Sequence, residues 1–144
     1  VQGRMEGTQL IDGWLCKDER TNRVSISERE RPGSSRIRTR FRVLASGKDS
    51  SLLEVELITG KPHQIRAHLA QTGHPVAGDA KYGNASFNER MRREYHLKTQ
   101  LLHSCRLEFP VLTGDYAGLQ ELSGRQITAP LPDMFRRILE GEGL

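Results

Sequence analysis

The stretch from residue 59 to 83, TGKPHQIRAHLAQTGHPVAGDAKYG, restricts the fold of this chain more than any other segment. Gly60 predicts a turn. Pro62 predicts the first position of a helix, where the missing N–H of proline would have no helical partner in any case. Ile65 and Leu69 lie four residues apart and predict one apolar helix face. The segment therefore predicts a turn, a short helix packed on a core, and further turns at its glycines.

The same predicted helix carries polar groups beside its apolar face. His63 and Arg66 project from neighbouring positions, and Thr72-Gly73 predicts the end of the helix because glycine is the usual left-handed cap. A solvated or ion-paired surface residue is the ordinary interpretation of Arg66. An arginine on a core helix among glycine turns also suits a carboxylate or phosphate held in fixed geometry, because its planar fork binds such anions through two hydrogen bonds.

Three histidines lie in this segment, so a metal site has to be considered. His63, His68 and His74 are separated by five and six residues. Two imidazoles on one helix face are four residues apart, so the spacing predicts no metal site. We expect His63 to bond a neighbouring loop or a phosphate. For Asp79 a turn cap is favoured over a catalytic acid, and Tyr82 suits either base stacking or the core.

Two alternating segments, 36–45 and 51–58, predict a β-hairpin. One register places apolar residues opposite apolar residues and arginines opposite glutamates. Its pairs are Val43 with Leu53, Phe41 with Val55, Arg42 with Glu54, and Arg40 with Glu56. Arg36 and Arg38 lie beyond the last glutamate, so we expect them to be free for phosphate contact.

The remaining elements are predicted from shorter patterns, and the loop 111–123 is left without a predicted structure. Predicted strands cover 10–16, 23–27, 101–109 and 124–129, and predicted helices cover Phe87–Lys98 and Pro132–Glu140. Strands outnumber helices and hairpins outnumber crossovers. The chain is therefore predicted to be an α+β domain with a mixed, mostly antiparallel sheet and a few short helices.

Composition narrows the class of protein further. The 144 residues fit one domain, and 22 basic against 18 acidic residues give a net charge of +4, which favours a polyanionic partner. Cys16 and Cys105 lack the spacing of a zinc site or a disulfide framework. No apolar run approaches a membrane span and no signal peptide opens the chain, so we expect a cytoplasmic protein with no membrane partner.

The 59–83 block resembles the motif of the RluA-type RNA pseudouridine synthases, which runs roughly TGR-x-HQIR-x-H-L-x-x-x-GHP-I-x-GD-x-x-YG. Lys61 and Val76 replace the arginine and isoleucine of that pattern. The opening VQGRMEG and the later segments LLHSCRLEF and TAPLPDMFRRIL resemble flanking pieces of the same family. The resemblance covers essentially all 144 residues.

The resemblance implies a cofactor-free isomerisation of uridine to pseudouridine in ribosomal or transfer RNA, and it implies RNA as the partner. Arg66 would be the partner of the nucleophilic aspartate, and Ile65, Leu102 and His63 would contact the substrate. We expect Arg36, Arg38 and Lys61 to bind RNA; Lys61 stands where the motif has arginine.

The family's H-R-L-D-x-x-T-S-G segment, which contains the nucleophile, does not occur here. Residues 1–144 are therefore expected to be the C-terminal part of a catalytic domain, inactive alone, with Arg66 lacking a partner inside the chain. A non-catalytic RNA-binding module and a protein-interaction domain are the alternatives.

Overall fold

A computed structural model describes residues 1–114 and 118–144. Its main sheet has the order β2-β1-β3-β4, in which all neighbouring strands are antiparallel. The strands are β1 (Thr8–Asp18), β2 (Arg23–Ser27), β3 (Ser35–Ser46) and β4 (Ser51–Leu57). Three helices follow or flank it, namely α1 (Gln64–Gln71), α2 (Ala85–Tyr95) and α3 (Asp133–Glu142). The predicted α+β class with a mostly antiparallel sheet is confirmed.

The predicted register of the β3–β4 hairpin is confirmed at each of its pairs. Val43 lies opposite Leu53 and Phe41 opposite Val55. The two predicted ion pairs form as well, Arg40 with Glu56 at 2.6 Å and Arg42 with Glu54 at 2.8 Å. The pattern sufficed because the apolar side chains had to share one face and the charges the other.

The first two arginines of β3 are not free, so that part of the prediction is wrong. Arg38 lies 3.1 Å from a carboxylate oxygen of Asp12, and Arg36 lies 3.4 Å from the same oxygen. Asp12 belongs to β1, which pairs with β3 on the side away from β4. The hairpin alone could not reveal this partner, because β1 is distant in sequence.

Helix α1 covers the apolar face of the sheet. Ile37 and Phe41 of β3 are fully buried, and Ala67 and Leu69 of α1 pack in the same clusters. Ile65 is half-buried against the cluster of Phe41 and Leu69. The predicted apolar ridge of the helix is therefore present.

The start of α1 differs from the prediction. The helix begins at Gln64, and His63 precedes it with a left-handed φ of 57°. Pro62 therefore lies before the helix and not at its first position. A non-glycine residue in this conformation is uncommon, and histidine is among the residue types enriched there.

Helices α2 and α3 share a second core of Ala77, Phe87, Met91, Leu97 and Ile138. Helix α2 starts at Ala85 and not at the predicted Phe87, because the Asn84 side chain accepts a hydrogen bond from the Phe87 N–H and caps the first turn.

Two short strands form a separate ribbon. Strands β5 (Arg106–Glu108) and β6 (Gln126–Thr128) pair antiparallel and are exposed along their length. Both are shorter than the predicted 101–109 and 124–129. A 3-10 turn at Gln120–Leu122 lies in the loop 111–123, part of which falls outside the described residues. Among the described residues, no helix has the length and hydropathy to cross a membrane.

Candidate active site around Arg66

Arg66 on α1 forms a two-pronged ion pair with Asp79. Its Nε donates to Oδ2 at 2.7 Å, and its Nη2 donates to Oδ1 at 2.7 Å. The Asp79 side chain is 0% exposed and that of Arg66 is 16% exposed. The expectation that Arg66 lacks a partner within the chain is therefore wrong. The carboxylate that meets it lies thirteen positions further along, in the turn after the helix.

The turn that contains Asp79 holds this carboxylate in place. Oδ1 of Asp79 accepts hydrogen bonds from the backbone N–H groups of Lys81 at 2.8 Å and Tyr82 at 3.0 Å. Burial raises the pKa of Asp79, but the hydrogen bonds from Arg66, Tyr82 and Lys81 outweigh it, so the pKa lies below its ordinary value. The pKa of Arg66 is raised, chiefly by its hydrogen bond to Asp79. Both groups are therefore charged at neutral pH.

Tyr82 supports the guanidinium from one face. The Arg66 Cζ lies 5.2 Å from the centre of the Tyr82 ring, and the Arg23 Cζ lies 5.6 Å from it. The Tyr82 hydroxyl accepts a hydrogen bond from the Val24 N–H at 2.9 Å and bonds Nδ1 of His63 at 2.9 Å. Tyr82 is thus engaged by two cations and two hydrogen bonds. This arrangement favours a supporting role over base stacking.

His63 lies beside this group, as expected, and its contact is with a neighbouring turn. Burial lowers the pKa of His63, and the positive charges of Arg66 and Lys81 lower it further. Its ring is therefore neutral at pH 7. Lys81 reaches back to the carbonyl of Asn22, and Arg23 reaches the carbonyl of Lys81. These bonds fasten the β1–β2 turn to the turn that contains Asp79.

A buried polar network fixes the first turn of α1 to strand β3. The Gln64 side chain accepts from the Thr59 hydroxyl at 3.0 Å and the Lys61 N–H at 3.1 Å. It donates to the Arg38 carbonyl at 3.0 Å and the Thr39 hydroxyl at 3.0 Å. All four bonds agree with one orientation of the amide. The helix that carries Arg66 is therefore held at its start by a fully bonded side chain.

The same network determines the tautomer of His68. The Thr39 hydroxyl accepts from Gln64, so its own proton points to Nδ1 of His68, 2.7 Å away. His68 is fully buried, and its Nε2 has no hydrogen-bond partner among the described residues. Burial lowers the pKa of His68. His68 is thus a neutral structural group, and no cluster of three metal-binding side chains occurs in the described ranges.

Arg66 leaves part of its guanidinium without a hydrogen-bond partner among the described residues. Nε and Nη2 face Asp79, while Nη1 makes no hydrogen bond to the described part of the chain. A guanidinium has five N–H donors, so the edge formed by Nη1 and Nη2 is left for a second anion. Asp79 therefore uses only part of the hydrogen-bonding capacity of the guanidinium.

Leu102 lies on a neighbouring segment and is 42% exposed. It lines an apolar groove with Leu53, Leu101 and Phe135. The Leu101 N–H donates to the Ala77 carbonyl at 2.7 Å, so this segment runs beside the strand of chain that leads to Asp79. Leu102 thus lies in this apolar groove, whereas Ile65 packs against the core cluster of Phe41 and Leu69.

The three expected RNA-binding residues are divided between two faces. Lys61 is exposed just before α1. Arg36 and Arg38 lie on the face of the sheet opposite to α1, because they alternate with the buried Ile37 and Thr39. Sequence reasoning missed the roles of Asp79 and Tyr82 in holding Arg66, although both stood in the motif, because neither spacing nor residue type shows which turn folds back on the helix.

Comparisons with known proteins agree with the resemblance noted in the sequence. The sequence profile of a family described as RNA pseudouridylate synthase matches residues 1–71, a range that includes Arg66. A relative from Chloroflexus aurantiacus, named an uncharacterized RNA pseudouridine synthase, is 39% identical over 143 residues. That match covers 96% of this chain and 39% of the relative. The chain belongs to the RluA-type RNA pseudouridine synthase family.

Two further relatives are named for ribosomal RNA. Ribosomal large subunit pseudouridine synthase C of Vibrio parahaemolyticus is 30% identical, over 98% of this chain and 41% of the relative. Ribosomal large subunit pseudouridine synthase D of Nitrosomonas europaea is 33% identical, over 97% of this chain and 38% of the relative. This RluA-type chain thus spans about two fifths of the length of these relatives.

Solved structures show the same fold. The chain resembles human RNA pseudouridylate synthase domain containing 4 with a TM-score of 0.68 at 22% identity, over 97% of this chain and 58% of that one. It resembles human RNA pseudouridylate synthase domain containing 1 with a TM-score of 0.60 at 24% identity, over 96% of this chain and 61% of that one. Both comparisons support an α+β pseudouridine synthase fold.

Proposed function

We propose that the protein containing this chain converts uridine to pseudouridine within ribosomal or transfer RNA, in the cytoplasm and without a cofactor. The observation that carries the proposal is the similarity, across nearly the whole chain, to proteins named as RNA pseudouridine synthases. Two of these names refer to the ribosomal large subunit, which favours ribosomal RNA over transfer RNA.

The reaction breaks the carbon–nitrogen glycosidic bond, turns the uracil and rejoins it to the same sugar carbon through a carbon–carbon bond. A carboxylate near the sugar and a base extracted from its stack meet the needs of this chemistry. Asp79 is a poor candidate for that carboxylate, because it is fully buried and both of its oxygens bond Arg66. We assign the nucleophile to an aspartate outside residues 1–144.

Arg66 is proposed to bind that aspartate through its free edge. A guanidinium at contact distance favours the ionised form of a carboxylate and fixes its direction, since both oxygens are engaged. Arg66 can form this second pair while it keeps the first, because Asp79 uses only Nε and one proton of Nη2. The buried Asp79 balances the charge of Arg66 when the site is empty.

The substrate contacts are proposed to come from both sides of Arg66. The exposed Leu102 suits an extracted base, because its groove is apolar. Ile65 is proposed to form the inner wall, and His63 and Lys61 are proposed to face the sugar and phosphate. Arg36 and Arg38, which share Asp12, are proposed to contact RNA that extends across the outer face of the sheet.

Arg66→Lys in the natural gene product that contains residues 1–144 tests the assignment. RNA with tritium at carbon 5 of uracil releases the label when pseudouridine forms. We expect Arg66→Lys to abolish most release, because lysine keeps the charge and loses the two-pronged geometry. Arg40→Lys is the matched control, since Arg40 pairs with Glu56 at the exposed face of the hairpin.

The outcomes separate the alternatives. A wild-type protein that binds RNA and forms no pseudouridine would reject the proposed activity in favour of a non-catalytic RNA-binding module. An active wild type with an equally active Arg66→Lys variant would reject the site and leave the activity standing.

The isolated 144-residue chain is expected to be inactive, because the proposed nucleophile is not among its residues. Incubation with labelled RNA should release no tritium above a protein-free control. Release above this background would assign the chemistry to a carboxylate inside the chain.

A further inference from the structure

The proposed function accounts for Arg66 and gives the buried carboxylate of Asp79 only a charge-balancing role. Such a pair is weak evidence for stability, because the cost of removing two charges from water offsets their attraction. The fully buried Asp79 binds Nε and Nη2 of Arg66, and Nη1 makes no hydrogen bond to the described residues. This geometry suits a carboxylate that holds the Arg66 guanidinium in place while another anion binds it.

Asp79 is in turn held in place by a side chain of α2. The Asp79 carbonyl accepts hydrogen bonds from the Gly83 N–H and from the Asn88 side chain, each at 2.9 Å. The Asn88 side chain also accepts from the Gly78 N–H at 2.8 Å. Asn88 therefore bridges the Ala77–Gly78 and Asp79–Ala80 peptide groups, which lie on either side of the Gly78–Asp79 peptide.

Two glycines allow this close approach. A Cβ on Gly83 would lie 2.1 Å from the Asp79 carbonyl oxygen, and a Cβ on Gly78 would lie 2.3 Å from the Thr99 carbonyl oxygen. Gly78 also has a φ of +74°. The turn from 78 to 83 is therefore packed tightly enough to fix the direction of the Asp79 side chain.

We propose that Asp79 is a positioning residue that aims the free edge of Arg66 at the nucleophilic carboxylate of the reaction. This proposal rests on the proposed function. The order of contacts runs from Asn88 on α2, through the turn that contains Asp79, to Arg66 on α1, with Tyr82 against the face of the guanidinium. Asp79 touches neither substrate nor nucleophile and acts through Arg66 alone.

Asp79→Asn tests the orientation of Arg66 separately from the folding of the turn. Asparagine keeps an oxygen that accepts from Lys81 and Tyr82, so the turn is retained. Its amide cannot accept from Nε of Arg66, so the two-pronged pair is lost. In the natural gene product that contains residues 1–144, we expect kcat to fall by about 100-fold, as for a misplaced catalytic group, while KM for RNA stays unchanged.

The decisive readout is the same substitution in the Arg66→Lys background. If Asp79 acts only through Arg66, the double variant has the kcat of Arg66→Lys alone, because the positioned group is already gone. If Asp79 supports only the fold, its effect is the same in both backgrounds. Glu56→Gln is the control, since it breaks an arginine–carboxylate pair at the exposed face.

Asp79→Glu keeps the test decisive if the asparagine variant does not fold. Glutamate retains the charge and moves the carboxylate by one methylene, so the guanidinium shifts and kcat falls with KM unchanged. Wild-type kcat in either folded variant, a change confined to KM, or equal losses in both backgrounds would overturn the proposal. An inactive wild type would instead reject the proposed function itself.

Discussion

Glu142 near the end of α3 accepts hydrogen bonds from Nη1 and Nη2 of Arg90 on α2, at 2.6 and 2.9 Å. The same carboxylate accepts from the Ser50 hydroxyl at 2.7 Å and the Tyr95 hydroxyl at 2.9 Å. The Glu142 side chain is 6% exposed. This carboxylate therefore joins α2, α3 and the turn between β3 and β4.

Glu142→Gln should lower the free energy of unfolding at neutral pH. It should also make this free energy change less as the pH falls. The hydrogen bonds from Arg90, together with those from Ser50 and Tyr95, outweigh burial and lower the pKa of Glu142 to about 2. A carboxylate with a depressed folded pKa stabilises above its unfolded pKa, and this stability disappears as pH falls through the folded pKa. A shift of this size corresponds to about 3 kcal/mol.

Urea unfolding between pH 7 and pH 2 measures this effect. The gap between wild type and Glu142→Gln should narrow from about pH 4.5 downwards. Glu89→Gln is the control, because Glu89 forms an exposed pair with Arg92 and should change stability by less than about 1 kcal/mol. A constant gap across this pH range would show that the carboxylate charge of Glu142 is not what stabilises the fold.

Gly78→Ala should destabilise the chain more than Gly73→Ala. Both glycines have a left-handed φ, +74° and +83°, so alanine is strained at either position by about 1–2 kcal/mol. A Cβ meets no atom within 4 Å at Gly73, whereas at Gly78 it overlaps the Thr99 carbonyl. Thermal melts of the two variants isolate the steric cost, and equal shifts would contradict the close packing of this turn.

The parts of the fold that follow local rules could be predicted from the sequence. The β3–β4 register was determined by alternation and by facing charges, since a slip of one residue would expose Phe41. Arg66 was singled out by the motif around it, and the structure gives it a two-pronged bond to a carboxylate. The partners Asp12 and Asp79 were missed because each is brought to its arginine by chain folding, and neither lies at a fixed offset that a pattern encodes.

Element ends were less predictable than element types for a related reason. Helix α1 begins after His63 because the Gln64 side chain fills the hydrogen bonds of the preceding turn, including that of the Lys61 N–H. Such a bond depends on a side-chain conformation that residue type alone does not specify.

His68 should make the chain less stable as pH falls from 7 to 5. Burial lowers the pKa of His68 in the folded state, so the unfolded chain binds more protons. Stability is then lost as pH falls below the ordinary value of about 6.5. His63, whose pKa is lowered by burial and by the charges of Arg66 and Lys81, should add to the slope.

His68→Gln and His96→Asn distinguish this source of pH dependence. Glutamine does not titrate, so the first variant should show a shallower loss of stability between pH 7 and pH 5. His96 is exposed with a left-handed φ of 59°, which asparagine tolerates, so the second variant is the control for removing a histidine outside the core. Parallel slopes for wild type and His68→Gln would show that His68 is not the titrating group.

The last prediction compares two arginine pairs of β3 that differ in their carboxylate partners. Arg36 and Arg38 share Asp12, which leaves one positive charge in excess. Arg40 pairs with Glu56 and Arg42 with Glu54, and although Glu54 also meets Arg106, that arginine has Glu108 as a second partner, so no charge is in excess there. Arg36→Ala with Arg38→Ala should therefore weaken RNA binding more than the double alanine variant of the other pair. Fluorescence anisotropy over a range of salt concentrations measures this difference, and each lost phosphate contact should reduce the salt slope by about 1. Both variants remove two positive charges, so equal losses would assign the effect to net charge and not to the outer face at Arg36 and Arg38.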